Sequence, residues 1–308
     1  MLRYSAIVVF IIGIIVLILG ITKIVPNTTG TGVSLLLLGG LLFGLSFVPK
    51  PDSDSPVGEM SPIERLTKIF YAPAEVFQNL RRHPRWLVAI LIMTVLSAVY
   101  SNAFMYRLTP ERITNYAIDK TLEMPMMNEQ ARAQVESTRK QTIEDAKSPV
   151  SRVTQAVNSF VGYTFLYAFF GLVFWLFALA MGGKINFWQA FSASVYAAFP
   201  IAVINRVLSL IILFIKDPTD IHPILGSNSL LQDNLGILVT PADNPVLYVL
   251  LSAFGILQFY WIFLMATGLK NAGERVSPTT AWTATIVVWL IGVTLSVVMA
   301  LIFPSFFS

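Results

Sequence analysis

The chain has 308 residues, 55% of them hydrophobic and only 12% charged, with a formal net charge of +4. Soluble domains carry roughly a quarter charged residues, and a mean hydropathy of +0.69 excludes an ordinary soluble fold. Cysteine is absent and there are two histidines, His83 and His222, which excludes disulfides, thiol chemistry and a histidine-rich metal centre. No cofactor is implied. The basic residues gather at segment ends, a pattern of membrane orientation rather than of nucleic-acid binding.

Tyr4–Ile21 is the first apolar run. Its core is longer than a signal-peptide h-region and no Ala-x-Ala site closes it, so it reads as a retained helix. Thr22–Gly32, with Pro26, Asn27, Gly30 and Gly32, is a turn. Val33–Val48 is short for a span, so its helix is expected to begin near Thr31, completing a transmembrane hairpin over residues 1–48. Gly40-x-x-x-Gly44 permits close helix contact and is read as packing against the first helix. Residues 49–60, PKPDSDSPVGEM, are a flexible polar linker that separates the hairpin from a membrane domain over 61–308.

Ser61–Leu80 is expected as one surface helix or two short ones, broken or kinked at Pro73, lying at the membrane interface or packed against the transmembrane bundle. Ser61 can cap, Pro62 suits the first helical position, and Glu64 has the capping-box offset. Ile63, Leu66, Phe70, Phe77 and Leu80 fall on one face. The basic cluster of Arg81, Arg82, His83 and Arg85 holds the start of the next span on the cytoplasmic side, with contact to anionic lipids as a further role.

Trp86–Tyr106 is the third span. The hydrophilic insertion 107–159 follows, with eight basic and seven acidic residues. Thr109-Pro110-Glu111 starts a helix that Met124-Pro125 ends, and Asn128-Glu129 starts another that runs through Lys147. The second is rich in good helix formers, and Ala131, Val135 and Ile143 give it little to bury. It is therefore the main candidate surface for a protein partner or another copy of the chain.

Phe160–Met181, Trp188–Ile215, Val246–Thr267 and Ala281–Phe303 complete seven spans. Trp188–Ile215 is unusually long and contains Pro200, so a tilt, kink or partial break is expected. In the acidic loop Lys216–Pro245, Ile221, Ile224 and Leu225 can dip back toward the bilayer. With the N-terminus inside, the basic segments around Arg3, Lys50–Arg85, Lys184 and Lys270–Arg275 are cytoplasmic. The insertion 107–159, the acidic loop and the C-terminus are then extracytoplasmic.

The sequence contains no H-E-x-x-H, G-x-S-x-G or Walker A motif and no paired intramembrane aspartates. Arg206, beside Asn205 in the Pro200 helix, is the exception among apolar spans. An arginine at that depth needs a partner, an anion or water, or it snorkels to the outer end. Gln258 and Tyr260 are candidate hydrogen-bonding companions for it, in contact with a ligand, lipid or ion.

Three stretches carry a family resemblance: SPIERLTKIFYAPAEVFQNLRRHPRW over 61–86, then Gly183-Lys184-Ile185-Asn186-Phe187-Trp188-Gln189-Ala190-Phe191, and Ser194-Val195-Tyr196-Ala197-Ala198-Phe199-Pro200. From Ser61 onward the chain resembles the Yip family of Rab-GTPase-interacting membrane proteins and their prokaryotic-type relatives. Gly183, Tyr196 and Pro200 match its pattern, while Val195 stands where glycine is usual and the eukaryotic Asp-Leu-Tyr-Gly-Pro type motif is absent.

The resemblance implies a five-helix membrane core behind the hairpin, hence an all-α polytopic protein of about seven transmembrane helices. It also implies an adaptor-like or trafficking role rather than an enzyme, in a prokaryotic cytoplasmic (inner) membrane. The functional expectation is a non-catalytic scaffold that contacts lipids or partners. The alternative is a small ion or lipid transporter or channel with its site near the Pro200 helix.

Overall fold

A computed structural model describes residues 2–51, 58–124 and 127–303. Most of the linker's centre, Pro125 (expected to end a helix) and the extreme C-terminus lie outside the described residues. The described chain is all-helical. Among the described residues, five helices are long and apolar enough to cross a membrane: α1 (Leu2–Ile21), α5 (Leu87–Leu108), α8 (Pro149–Ala180), α9 (Phe187–Ile215) and α13 (Pro278–Ile302). Two of the seven expected spans are shorter, α2 (Thr29–Leu45) and α12 (Ile256–Ala272), at 17 residues each. At 1.5 Å per residue, α9 is roughly 44 Å long, more than the ~30 Å hydrocarbon core requires.

The surface helix of 61–80 is two helices, α3 (Pro62–Lys68) and α4 (Pro73–Arg82), each with proline at its start. The Glu64 amide donates to the Ser61 hydroxyl at 3.2 Å. The Glu64 carboxylate pairs instead with Lys68 at 3.1 Å. The expected apolar face is only half right. Leu66, Phe77 and Leu80 are buried, but Ile63 is 75% exposed and Phe70 is also exposed. The reason is Arg65, which takes an inward position that a hydrophobic pattern cannot assign to a charged residue.

In the insertion, α6 (Pro110–Leu122) and α7 (Glu129–Lys147) form the expected pair, with the Asn128 side chain accepting from the Ala131 amide at 2.8 Å. The next helix starts eleven residues before expectation: α8 begins at Pro149, not Phe160. After Pro149 no glycine or proline interrupts the polar stretch up to Ser159, so the backbone ladder runs through it.

The expected span Val246–Thr267 is not one helix. It is α11 (Pro245–Ser252) and α12, with a break at residues 253–255. Asn244 caps α11 by accepting from the Leu247 amide at 3.1 Å. A distant segment then starts α12: the Asp233 carboxylate accepts from the Leu257 amide at 2.8 Å, and its carbonyl accepts from the Ile256 amide at 3.2 Å. A Cβ on Gly255 would stand 3.1 Å from that carboxylate, so a side chain there would have to push it back by a few tenths of an ångström. Continuous hydropathy hid this break because the cap comes from outside the run.

The described chain falls into two compact units. The first comprises residues 1–95, 150–200 and 262–285; the second comprises 96–149, 201–261 and 286–308. In the first unit, every residue from Phe187 to Pro200 is buried, as a helix apolar on all sides should be. The hairpin shares a hydrophobic cluster with α8: Ala6, Leu38 and Leu42 pack with Val161, flanked by Val157, Phe160 and Trp86. In the second unit, Tyr100, Phe104, Leu108, Leu213 and Ile221 form a core cluster, so Ile221 of the acidic loop turns inward.

The hairpin is held by close backbone approach, but not through the expected glycines. A Cβ on Gly40 or Gly44 would meet nothing within 4 Å. One on Gly13, Gly20, Gly32 or Gly39 would come within 2.5–2.8 Å of the facing helix. Each pair is spaced by seven residues, two turns, and each glycine admits the backbone of a larger residue on the facing helix: Leu36, Thr29, Leu17 and Phe10 in turn. Gly39→Ile is therefore expected to lower stability in detergent by about 1–3 kcal/mol through overpacking, read from unfolding curves. Gly40→Ile should leave those curves unchanged.

Candidate functional site

Polar groups among apolar helices collect in two places, one in each unit. In the first unit Arg65 is 1% exposed. Its Nε donates to the Asn79 side-chain oxygen at 2.9 Å, and its Nη2 donates to Glu59 Oε1 at 3.0 Å. The Tyr196 hydroxyl lies within electrostatic reach of the guanidinium. Glu59 in turn accepts from Arg85 through both carboxylate oxygens, at 2.9 and 3.3 Å. The Asn79 amide donates onward to the Gly58 carbonyl at 3.0 Å. The end of the linker is thus fastened to α4 around one buried cation.

Hydrogen bonds from Arg85 and then Arg65 hold the Glu59 carboxyl down at about 2, against an ordinary value of 4.5. Glu59 raises Arg85 in turn. Arg85 of the expected basic cluster is therefore committed to Glu59. Arg81 contributes its carbonyl, which accepts from the Gln189 side chain at 2.7 Å. Arg82 is half-exposed on the last turn of α4.

The other residues of this region are fixed by backbone geometry. α8 ends in a Schellman motif: the Gly183 amide donates to the Ala178 carbonyl at 2.7 Å and Gly182 to Leu179 at 2.9 Å, with Gly182 at φ +76. A Cβ on Gly183 would lie 2.8 Å from the Ala178 oxygen. Lys184 then exchanges backbone hydrogen bonds with Glu274 and Arg275 of the α12–α13 loop, and its Nζ pairs with Glu274 at 2.6 Å. Asn186 and Trp188 donate from their side chains to the Pro49 and Val48 carbonyls, at 2.9 and 3.2 Å. α9 continues unbroken through Pro200, the last residue of this unit in that helix.

In the second unit Arg206 donates from Nε to the Ser97 hydroxyl at 3.2 Å and from Nη1 to the Asn228 carbonyl at 2.6 Å. Its guanidinium lies 5.1 Å from the Tyr100 ring centroid, within range of a cation–π interaction. The Asn205 amide donates to the Ser229 hydroxyl at 2.9 Å. The Ser209 hydroxyl accepts from the Leu230 and Leu231 amides. The Tyr100 hydroxyl donates to the Gly226 carbonyl. The contacts to Gly226, Asn228, Ser229, Leu230 and Leu231 hold one stretch, residues 226–231. Arg206 and Asn205 are thus brought together on the same loop. Among the described residues, neither Gln258 nor Tyr260 hydrogen-bonds to this group.

The same loop is tied to the insertion. Arg112 donates to the carbonyls of Pro218, Thr219 and Ile221, at 2.5, 3.3 and 3.2 Å. His222 Nδ1 accepts from the Ile224 and Leu225 amides, which leaves its Nε2 to meet the Tyr116 hydroxyl at 3.1 Å. Burial, with Lys120 nearby, lowers the His222 pKa and favours the neutral ring these bonds require. Farther out, Arg139 pairs with Asp119 at 2.7 Å and Lys147 with Glu111 at 2.8 Å, joining α7 to α6. Among the described residues, no three of His, Asp and Glu stand close enough to hold a metal.

A family model for the Yip1 domain matches residues 67–302. The chain belongs to the Yip1-domain family. No curated protein and no solved structure matches it. The matched segment begins two residues after Arg65, so the buried cation and Glu59 come from outside it, while Asn79, Arg85 and Tyr196 come from within. Arg65 and Glu59 escaped sequence reasoning. The one available signal was that Arg65 shares a helix face with buried Leu66 and Ile69.

Glu59→Gln is expected to lower stability by about 1–2 kcal/mol. That is below the 3–5 typical of a broken buried pair, because Glu59 itself is partly exposed. The wild-type contribution is present above pH 4.5 and lost as pH falls toward 2, since the folded pKa is the lower one. Melting of both proteins between pH 2 and 7 checks this, and the difference between the two should shrink steadily toward the acid end. For the second group, Arg206→Ala is expected to cost about 1–2 kcal/mol and to increase amide exchange over residues 226–231.

Proposed function

We propose that this Yip1-domain protein is a non-catalytic membrane scaffold or adaptor, with the α6–α7 hairpin as its partner-facing surface. The observation that carries this reading is α7. It is a 19-residue helix with no buried residue, fastened to α6 through ion pairs. Four acidic and four basic side chains make it charge-balanced, which suits a protein surface better than a polyanion or an anionic membrane. Arg132 and Lys140 are exposed on it, ready to meet acceptors on a partner or a second copy.

The charge distribution supports an N-terminus in the cytoplasm and an extracytoplasmic α6–α7 hairpin, and the resemblance to prokaryotic-type relatives supports a cytoplasmic (inner) membrane. Transport is the competing reading, with Arg206 at its centre. The contacts of Arg206 with Ser97, Asn228 and the Tyr100 ring favour loop anchoring instead.

Site-specific photocrosslinking from α7 in intact cells tests the adaptor reading. Discrete crosslinked species are expected, and the double variant Arg132→Glu, Lys140→Glu should reduce them about tenfold or more without altering insertion or melting. Absence of discrete crosslinks, or an Arg206-dependent flux of ions or lipids in proteoliposomes, would contradict it.

A further inference from the structure

The first unit holds a cleft of about 630 Å³. Its walls come from the chain after α2 (Phe47, Pro49), the C-terminal end of α8 (Trp175, Leu179) and the start of α9 (Phe187). Its polar members are Lys184, Asn186 and Glu274. All of these elements are helix ends or the turns that join them, the level at which a spanning helix leaves hydrocarbon for headgroups. A tryptophan such as Trp175 favours that boundary.

The charges in the lining are one of each sign. Lys184 Nζ and Glu274 Oε2 are 2.6 Å apart, with side chains 74% and 46% exposed. Such an open pair gains little by staying closed, so a ligand carrying both charges can part it and satisfy each half. The Asn186 side chain already donates to the Pro49 carbonyl, so the two charged groups are what remains for a headgroup. Lys50 lies over the Trp188 ring at 5.7 Å and is not part of the lining.

We propose that this cleft binds a zwitterionic phospholipid with a primary ammonium, a phosphatidylethanolamine. Lys184 takes its phosphate, Glu274 takes its ammonium, and Phe47, Trp175, Leu179 and Phe187 cover the glycerol and first methylenes. The ammonium's N–H donors match a carboxylate that the neighbouring Lys184 keeps ionised. A quaternary choline offers the charge without the donors. A phosphatidylglycerol leaves Glu274 facing an anion. The site is independent of the α6–α7 reading, and either can fail alone.

Native mass spectrometry of the full-length protein, titrated with phosphatidylethanolamine, phosphatidylcholine and phosphatidylglycerol of matched acyl chains, tests the proposal. Phosphatidylethanolamine is expected to bind about fivefold or more tightly than either competitor. Lys184→Ala and Glu274→Ala should each abolish the preference, and the swap Lys184→Glu with Glu274→Lys should restore it. Leu179→Trp, which fills the cleft and keeps both charges, should lose the lipid and serves if a charge variant fails to fold. Equal binding of the three lipids, a preference for phosphatidylglycerol, or a preference that survives Leu179→Trp would overturn it.

Discussion

A guanidinium removed from water must be answered by the protein, and Arg65 is the place where that requirement bites hardest. A charge left alone in an apolar setting costs several kcal/mol, more than any single packing contact returns. Arg65 is met by a carboxylate from the linker's end and an amide oxygen from α4, with the Tyr196 phenol of α9 within electrostatic reach. Three segments of the chain therefore converge on one charge. Much of the first unit's arrangement follows: Glu59 recruits Arg85 ahead of α5, and Asn79 reaches back to Gly58. Tyr196 sits in a wholly buried stretch of α9 within electrostatic reach of this cation.

The second unit obeys the same rule with different parts. Arg206 does not face a carboxylate; it meets a serine, a backbone carbonyl and an aromatic face. Asn205, Ser209 and Tyr100 join it on one short loop, so polar side chains on α5 and α9 convert an irregular segment into fixed structure. Irregular backbone near a membrane persists only where protein satisfies it, and residues 226–231 are satisfied almost residue by residue. Asp233 does the same for the restart of α12. The arginine that stood out in the sequence is, in this arrangement, an anchor.

Much of the architecture could be read from the residues because hydropathy and capping are local signals. The all-helical membrane class, the Thr109 and Asn128 helix starts, the proline break at Pro73 and the family resemblance all rest on runs or short spacings. What stayed hidden depended on partners distant in sequence. Hydropathy over 246–267 is continuous, and nothing within it announces that Asp233 caps a new helix at Ile256. The glycine pattern at Gly40 and Gly44 was visible, yet Gly13, Gly20, Gly32 and Gly39 make the contact, because a seven-residue repeat has meaning only once a facing repeat exists. Arg65 was passed over because periodicity counts a charge as outward-facing. Of the candidate residues, Arg206 with Asn205 do share a loop, while Gln258 and Tyr260 were joined to them by membrane depth alone.

The central claim is that Arg65 and Tyr196 stabilise the first unit together rather than separately. A double-mutant cycle of Arg65→Met, Tyr196→Phe and the double variant, read from reversible unfolding in detergent, measures their coupling directly. The account predicts a coupling of about 1 kcal/mol or more, with each single variant destabilised and the double variant less so than their sum. Strict additivity, with Arg65→Met as stable as the wild type, would contradict it.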